Sequence, residues 1–292
     1  MYTKMLKEAT YYEKLENGKV KCVLCPKNCV ILPSKRGVCG VRQNLDGKLY
    51  ALVYEKPIAV HIDPIEKKPL YHFHPSSKIL SIGTYGCNLK CKFCQNYDIS
   101  QEFEVDNIYD LETLQPEEII SFCKSRELNH VAFTYNEPTI FYEYMLDVAK
   151  LCKINDIYTV VVSNGQINED PLKELIVYID AFNIDLKAFN NKFYKEICKG
   201  DIETTKHTIE FIVKYKKHIE VTFLLIEGYN DNLVEFQEMC KYLSSLNKNI
   251  VLHISRAFPR YKMNFKITPY SLMKEFGEMA KIYLNYVYLG NI

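Results

Sequence analysis

The sequence predicts an α/β fold: a partial (β/α)6 TIM-like barrel preceded by a small cysteine-rich N-terminal module. Three observations carry this reading. After Lys78, six apolar runs of strand length alternate with helical patterns. Several of those runs are apolar on both faces, as strands buried between layers are. Before Lys78 the texture is irregular and holds four closely spaced cysteines. The division expected is a metal-binding module over 1–77 and a catalytic core over 78–292.

The elements follow in order. Residues Met1 to about Ser77 offer only short strand-like pieces, Leu49–Tyr54 and Ile58–Ile62, and the Pro/His-rich stretch KPLYHFHPSS marks their end. The strands expected next are Lys78–Ile82, Val131–Thr134, Tyr158–Val162, Phe182–Leu186, Glu220–Leu225 and Ile250–Ile254, rich in Val, Ile, Phe and Tyr. Helices lie between them. Pro116–Lys124 opens on a proline suited to a first turn. Thr139–Cys152 sets Ile140, Phe141, Tyr144, Met145, Val148 and Cys152 on one stripe, and Ile202–Lys214 and Asp231–Leu243 follow. A last helix near Pro269–Ile282 leads to Tyr286–Leu289, a possible closing strand. Chemistry in such folds sits at the C-terminal ends of the strands.

Bulk properties exclude several classes. With 48% apolar and 25% charged residues, the 292-residue chain has a globular profile. A formal net charge of +1 gives no reason for a nucleic-acid or acidic-membrane partner. No apolar run approaches the roughly 18 residues of a membrane helix, and the polar N-terminus lacks a signal-peptide core. A cytoplasmic location is expected.

Eleven cysteines are many for such a chain. Cys123, Cys152, Cys198 and Cys240 are scattered and read as small buried apolar residues. The other seven form two groups whose spacing suits metal ligation.

The segment GTYGCNLKCKFCQNYDIS follows the first strand and places Cys87, Cys91 and Cys94 in a Cys-x3-Cys-x2-Cys pattern. A cubane 4Fe–4S cluster usually takes four thiolates. Three on one loop leave one iron open, which is what a reactive site needs. The bland alternative is a zinc loop completed by a distant His or Cys. In the N-terminal group, Cys22, Cys25, Cys29 and Cys39 read Cys-x2-Cys-x3-Cys-x9-Cys. Four thiolates satisfy a closed zinc site or a second 4Fe–4S cluster, and the Gly/Pro-rich loop leans towards zinc.

The segment CNLKCKFCQNYDIS resembles the cluster loop of radical S-adenosylmethionine (SAM) enzymes, in particular the activating enzymes of glycyl radical proteins such as pyruvate formate-lyase. The likeness continues at later strand ends. In TYNEPTI, Asn136 and Glu137 stand where relatives hold the SAM amino group. In VSNGQI, Ser163 and Asn164 resemble a ribose-side turn. In NIDLKAF, Asp185 and Lys187 match a pair facing the SAM carboxylate. A segment like LLIEGYND lies along the adenine in relatives, and Phe93 is expected against the adenine or in plain packing. His253, within LHISRAFPRYKM, resembles a histidine that approaches SAM, although a lone strand histidine is more often structural. Alone, each of these carboxylates is more often a helix cap or a surface charge. Val162 departs from the activating enzymes, which carry a cation-holding Asp there. Over almost the whole chain the sequence is similar to the radical SAM component of the AmmeMemoRadiSam system, through CVLCPKNCVILPSKRGVCGVR, KPLYHFHP, LHISRAFPRYKM and YVYLGNI.

The resemblance implies an oxidoreductase-type enzyme with a 4Fe–4S cluster at Cys87, Cys91 and Cys94. It would cleave SAM reductively to a 5′-deoxyadenosyl radical and abstract hydrogen from a substrate, with a protein as one candidate. It also implies a low-potential donor such as ferredoxin or flavodoxin. Activation of a glycyl radical enzyme is one alternative, and a non-catalytic zinc-binding interaction module another. His72 and His74 suit interdomain packing better than metal or substrate contact, and Arg256, Tyr261 and Lys262 suit a solvated loop better than a substrate mouth.

Overall fold

The alternating texture becomes one eight-stranded sheet in the computed structural model, which describes residues 6–292. Its strands are β1 (Ala59–Pro64), β2 (Lys78–Gly83), β3 (His130–Phe133), β4 (Tyr158–Ser163), β5 (Ala181–Asp185), β6 (His218–Leu225), β7 (Val251–Arg256) and β8 (Tyr286–Gly290), arranged in chain order from one edge to the other. β1 pairs antiparallel with β2, and every later neighbouring pair is parallel. Six helices make the crossovers that parallel pairing requires. They are α1 (Pro116–Ser125), α2 (Tyr142–Ile154), α3 (Glu169–Leu175), α4 (Ile202–Lys214), α5 (Leu233–Leu246) and α6 (Tyr270–Lys281).

Burial on both faces explains the strand composition. All four residues of β3 are buried. On one face Leu80, Val131, Phe133, Val161, Phe182 and Ile184 join the main core with the helices. On the other, Ile79, Ala132, Val160 and Ala181 pack with Ile65 and Leu70, from the segment between β1 and β2. Helix ends follow local chemistry. Gln115 and Glu118 form a capping box ahead of Pro116. The Asp201 carboxylate accepts from Thr204 N at 2.9 Å to open α4. Asn232 caps α5, so that helix starts two residues later than its apolar pattern suggests.

Three differences from the sequence reading have physical causes. Pro138–Phe141 is a separate 3-10 turn before α2, because the Glu137 side chain caps it. The short α3, with Pro171 in its first turn, buries only Pro171, Leu172 and Leu175, too few for a periodic signal. The strand Ala59–Pro64 lies in the stretch expected to form the N-terminal module, yet it is hydrogen-bonded along β2.

The remaining N-terminal chain makes two three-stranded sheets, Lys7–Glu8 with Lys48–Ala51 and Arg42–Leu45, and Tyr12–Lys14 with Val20–Cys22 and Val30–Ile31. It docks on α2 and α3. Lys7 meets Asp147 at 2.8 Å, Tyr11 OH donates to Glu174 at 2.8 Å, and the buried Arg42 pairs with Glu143. Asn168 binds the carbonyls of Val23 and Leu24.

Residues Pro69–His74 seal the N-terminal ends of the strands. Asn183 Nδ2 donates to Pro69 O at 2.7 Å, and Tyr71 N and His72 N donate to Glu220. His72 Nε2 lies 2.7 Å from Tyr288 OH, and His74 Nδ1 lies 2.6 Å from His130 Nε2, so both histidines serve packing. Among the described residues no helix is long and apolar enough to cross a membrane.

Candidate functional site

The opposite, C-terminal ends of the strands surround a cavity of about 360 Å3, within the size range of ligand sites. Cys87, Cys91 and Cys94 line it together with Phe93, Asn136, Glu137, Ser163, Asn164, Asp185 and Lys187. Lys67 and Lys68 after β1, Ser255 within β7 and Asn291 after β8 also line it, so both edges of the sheet contribute to one space.

The cysteine loop is held from several sides. Asn136 bridges it: Thr84 N donates to Asn136 Oδ1 at 3.0 Å, and Asn136 Nδ2 donates to Gly86 O at 2.8 Å. Lys90 N and Lys92 N donate to Cys198 O and Ile197 O. Leu89 N donates to the Cys87 sulfur at 3.4 Å, and Asn164 Nδ2 lies 3.8 Å from the same sulfur. Such N–H groups stabilise a thiolate or a sulfur-ligated metal. As free thiols the three stay protonated. Burial raises Cys87 and Cys94, while the neighbouring Cys198 thiol, then burial, raises Cys91.

Glu137 is buried and ties two strand-end loops together. Its Oε1 accepts from Thr139 N (3.0 Å), Thr139 Oγ1 (2.7 Å) and Ser163 Oγ (2.7 Å), and its Oε2 from Asn164 N (2.9 Å). Burial raises its pKa, although all four bonds oppose that. Lys187 Nζ lies 2.9 Å from Asp185 Oδ2 and 5.9 Å from the centre of the Phe93 ring. Burial opposes its charge, but Asp185 holds the ammonium protonated. The site therefore joins three thiols, a fixed cation, a half-buried carboxylate and a ring face.

The structure does not bring His253 to this cavity. β7 places it nearer the N-terminal end, where its Nε2 lies 2.6 Å from Glu220 Oε2. Arg256 donates instead to Thr268 O at 2.8 Å, and Tyr261 stacks on Tyr97 at 4.8 Å. Sequence reasoning missed Cys198, which lies against Cys91 from a π-helical turn and does not line the cavity. No spacing signal links position 198 to the loop. Lys67, Lys68 and Tyr135 were missed as well, although Asp63 joins them at 3.3, 2.8 and 2.7 Å.

Among the described residues no three His, Cys, Asp or Glu side chains converge closely enough for a single metal ion. A cluster spreads its thiolates over several irons, so this spacing and the soft donor set fit a 4Fe–4S group at Cys87, Cys91 and Cys94 better than zinc.

Comparison with known proteins agrees with the sulfur chemistry. The family model of the Radical SAM superfamily matches residues 81–243. The chain is 39% identical to an uncharacterized protein of Methanocaldococcus jannaschii, over 98% of this chain and 86% of that protein. It is 30% identical to a putative glycyl-radical enzyme activating enzyme of the same organism, over 60% of this chain and 66% of that protein. In fold it is similar to a radical SAM methyltransferase from Sphaerobacter thermophilus, with TM-score 0.58 and 15% identity, over 74% of this chain and 67% of that one.

Proposed function

The chain belongs to the radical SAM superfamily, and from that we propose that Cys87, Cys91 and Cys94 hold a 4Fe–4S cluster used to cleave SAM reductively. Family membership sets aside the non-catalytic zinc module, because the superfamily is one of enzymes. When bound, the cluster supplies one electron to SAM, giving methionine and a 5′-deoxyadenosyl radical that takes a hydrogen atom from the substrate. The observation that carries the reading is the shared cavity: three thiols from one loop face Asp185, Lys187 and Asn164 across about 360 Å3.

The chain's own residues bind and orient. Lys187 is the cation for the SAM carboxylate, and Asp185 holds its charge in place. Glu137 acts as a positioning residue, since its four bonds fix the loops bearing Ser163 and Asn164. Phe93 offers a ring face to the adenine. His253 is left out, because Glu220 occupies its ring nitrogen. Convergence of both sheet edges on one cavity supports the partial-barrel reading, and the seal at Pro69–His74 supports exclusion of water from one end. An N-terminal module over 1–77 and a core over 78–292 remain our proposed division.

The electron enters from a low-potential donor such as ferredoxin or flavodoxin, and the substrate is a protein. The likeness to a putative activating enzyme favours a glycyl radical protein as that substrate. Membership of the AmmeMemoRadiSam branch rests on the N-terminal cysteine stretch and YVYLGNI. The test is anaerobic: the cluster-loaded chain, reduced with dithionite and given SAM, forms 5′-deoxyadenosine. A loaded chain that forms none, with candidate partner proteins present, overturns the reading. Cys198 provides a second check. If three thiolates suffice, Cys198→Ala keeps the iron content of the unaltered chain and an electron paramagnetic resonance (EPR) signal that SAM alters. Loss of the SAM response in that variant sinks the three-thiolate assignment.

A further inference from the structure

The N-terminal cysteines stand apart from the cavity just described, yet they repeat its local geometry. Cys22, Cys25, Cys29 and Cys39 line one enclosed space, with Arg42, Asn88 and Ile140 among its other walls. Cys22, Cys25 and Cys39 are buried and Cys29 is half-buried, and all four are free thiols. The Cys22 sulfur accepts from Leu24 N, Cys25 from Lys27 N, and Cys39 from Val41 N and Arg42 N. The same two-residue step joins Leu89 N to Cys87 and Asn96 N to Cys94 in the cluster loop.

The spread of the sulfurs bears on which of the two metals that four thiolates allow is held here. Tetrahedral zinc, at about 2.3 Å from each sulfur, draws its thiolates to about 3.8 Å from one another. Among the described residues no three of these sulfurs reach a common ion. A polynuclear group spreads its thiolates over several irons and suits such an arrangement.

Arg42 adds an independent observation. It is 1% exposed. Its Nε donates to Ile140 O and its Nη2 pairs with Glu143, but its Nη1 is buried without a partner. A buried donor without an acceptor is costly. Cluster sulfurs are acceptors, and donors to them are a common feature of such sites.

We propose that Cys22, Cys25, Cys29 and Cys39 hold a second iron–sulfur cluster, closed by four protein thiolates, with Arg42 Nη1 donating to its sulfur. Asn88 walls this space and follows Cys87 directly, and a Cβ on Gly86 would lie 2.7 Å from Cys39 O. The two cysteine groups are therefore neighbours, separated by one layer of backbone.

The test is metal content and EPR of the full chain, reconstituted anaerobically with iron and sulfide in the presence of zinc. The triple variant Cys87→Ala/Cys91→Ala/Cys94→Ala is expected to hold about four irons and no zinc. Its EPR signal should ignore SAM, because no iron is open. The double variant Cys25→Ala/Cys29→Ala is expected to hold about four irons and to respond to SAM. One zinc and no iron in the folded triple variant, or no metal at all, overturns the proposal. A double variant without iron beside a triple variant that keeps its iron would sink the proposed function and leave this inference standing. Should either variant fail to fold, the wild-type count decides: about eight irons supports a second cluster, and about four irons with one zinc overturns it.

Discussion

The two ends of the sheet are built from similar side chains, but the cavity holding the cysteine loop lies at one of them. At the C-terminal end Glu137 and Lys187 border a cavity of about 360 Å3. At the N-terminal end Glu220, His218, His253 and Tyr71 touch one another beneath Pro69–His74. The two buried glutamates make the contrast concrete. Each accepts four hydrogen bonds, and burial opposes the charge of both. Glu137, with neutral donors only, is nevertheless raised. Glu220 is lowered to about 2, with His218 and His253 the leading causes that overcome burial. Residue type did not separate a ligand site from a structural one; position along the strand and the identity of the partners did.

The largest effect should come from the open end. Alanine at Cys87, Cys91 or Cys94 should lower 5′-deoxyadenosine formation at least about a thousandfold, measured anaerobically, with the circular dichroism spectrum unchanged. Residual turnover near wild type would remove the thiols from the chemistry.

At the sealed end the expected cost is in stability. The folded pKa of Glu220 lies below its ordinary 4.5, so its contribution is present above pH 4.5 and is lost as pH falls towards 2. Glu220→Gln should cost about 3 kcal/mol at pH 7 in denaturant melts, and the gap from wild type should close below pH 4.5. A pH-independent gap would mean that the Glu220 carboxylate contributes nothing through its charge.

A smaller change is expected at Lys187. Lys187→Met should weaken SAM binding by about ten- to a hundredfold, read by equilibrium dialysis on the cluster-loaded chain, since a charge-assisted bond contributes about 1.5–3 kcal/mol. Unchanged affinity would take Lys187 away from the ligand. The smallest effect belongs to His253. His253→Gln should leave the SAM dissociation constant within about twofold, and a tenfold loss would erase the distinction between the two ends.

Much of this arrangement was legible before any coordinates. The strands declared themselves because burial on both faces needs runs of apolar residues, and the cysteine loop because its ligands are close in sequence. What stayed hidden depends on contacts between distant positions. Cys198 reaches Cys91 through a π-helical turn that no periodicity marks. His253 looked like a ligand because a strand pattern does not show how far along the strand a residue sits. The edge role of Ala59–Pro64 was lost because antiparallel pairing with β2 spans a long irregular connection. Arg42 gave no signal, since its partners Glu143 and Ile140 lie about a hundred residues away.

Gly86 adopts φ +97°, and the carbonyl of Cys39 fills the place a side chain would take. A backbone seated this tightly cannot shift on one side without disturbing the other. Gly86→Ala would therefore strain the turn that leads into Cys87 and push on the backbone of Cys39 at the same time.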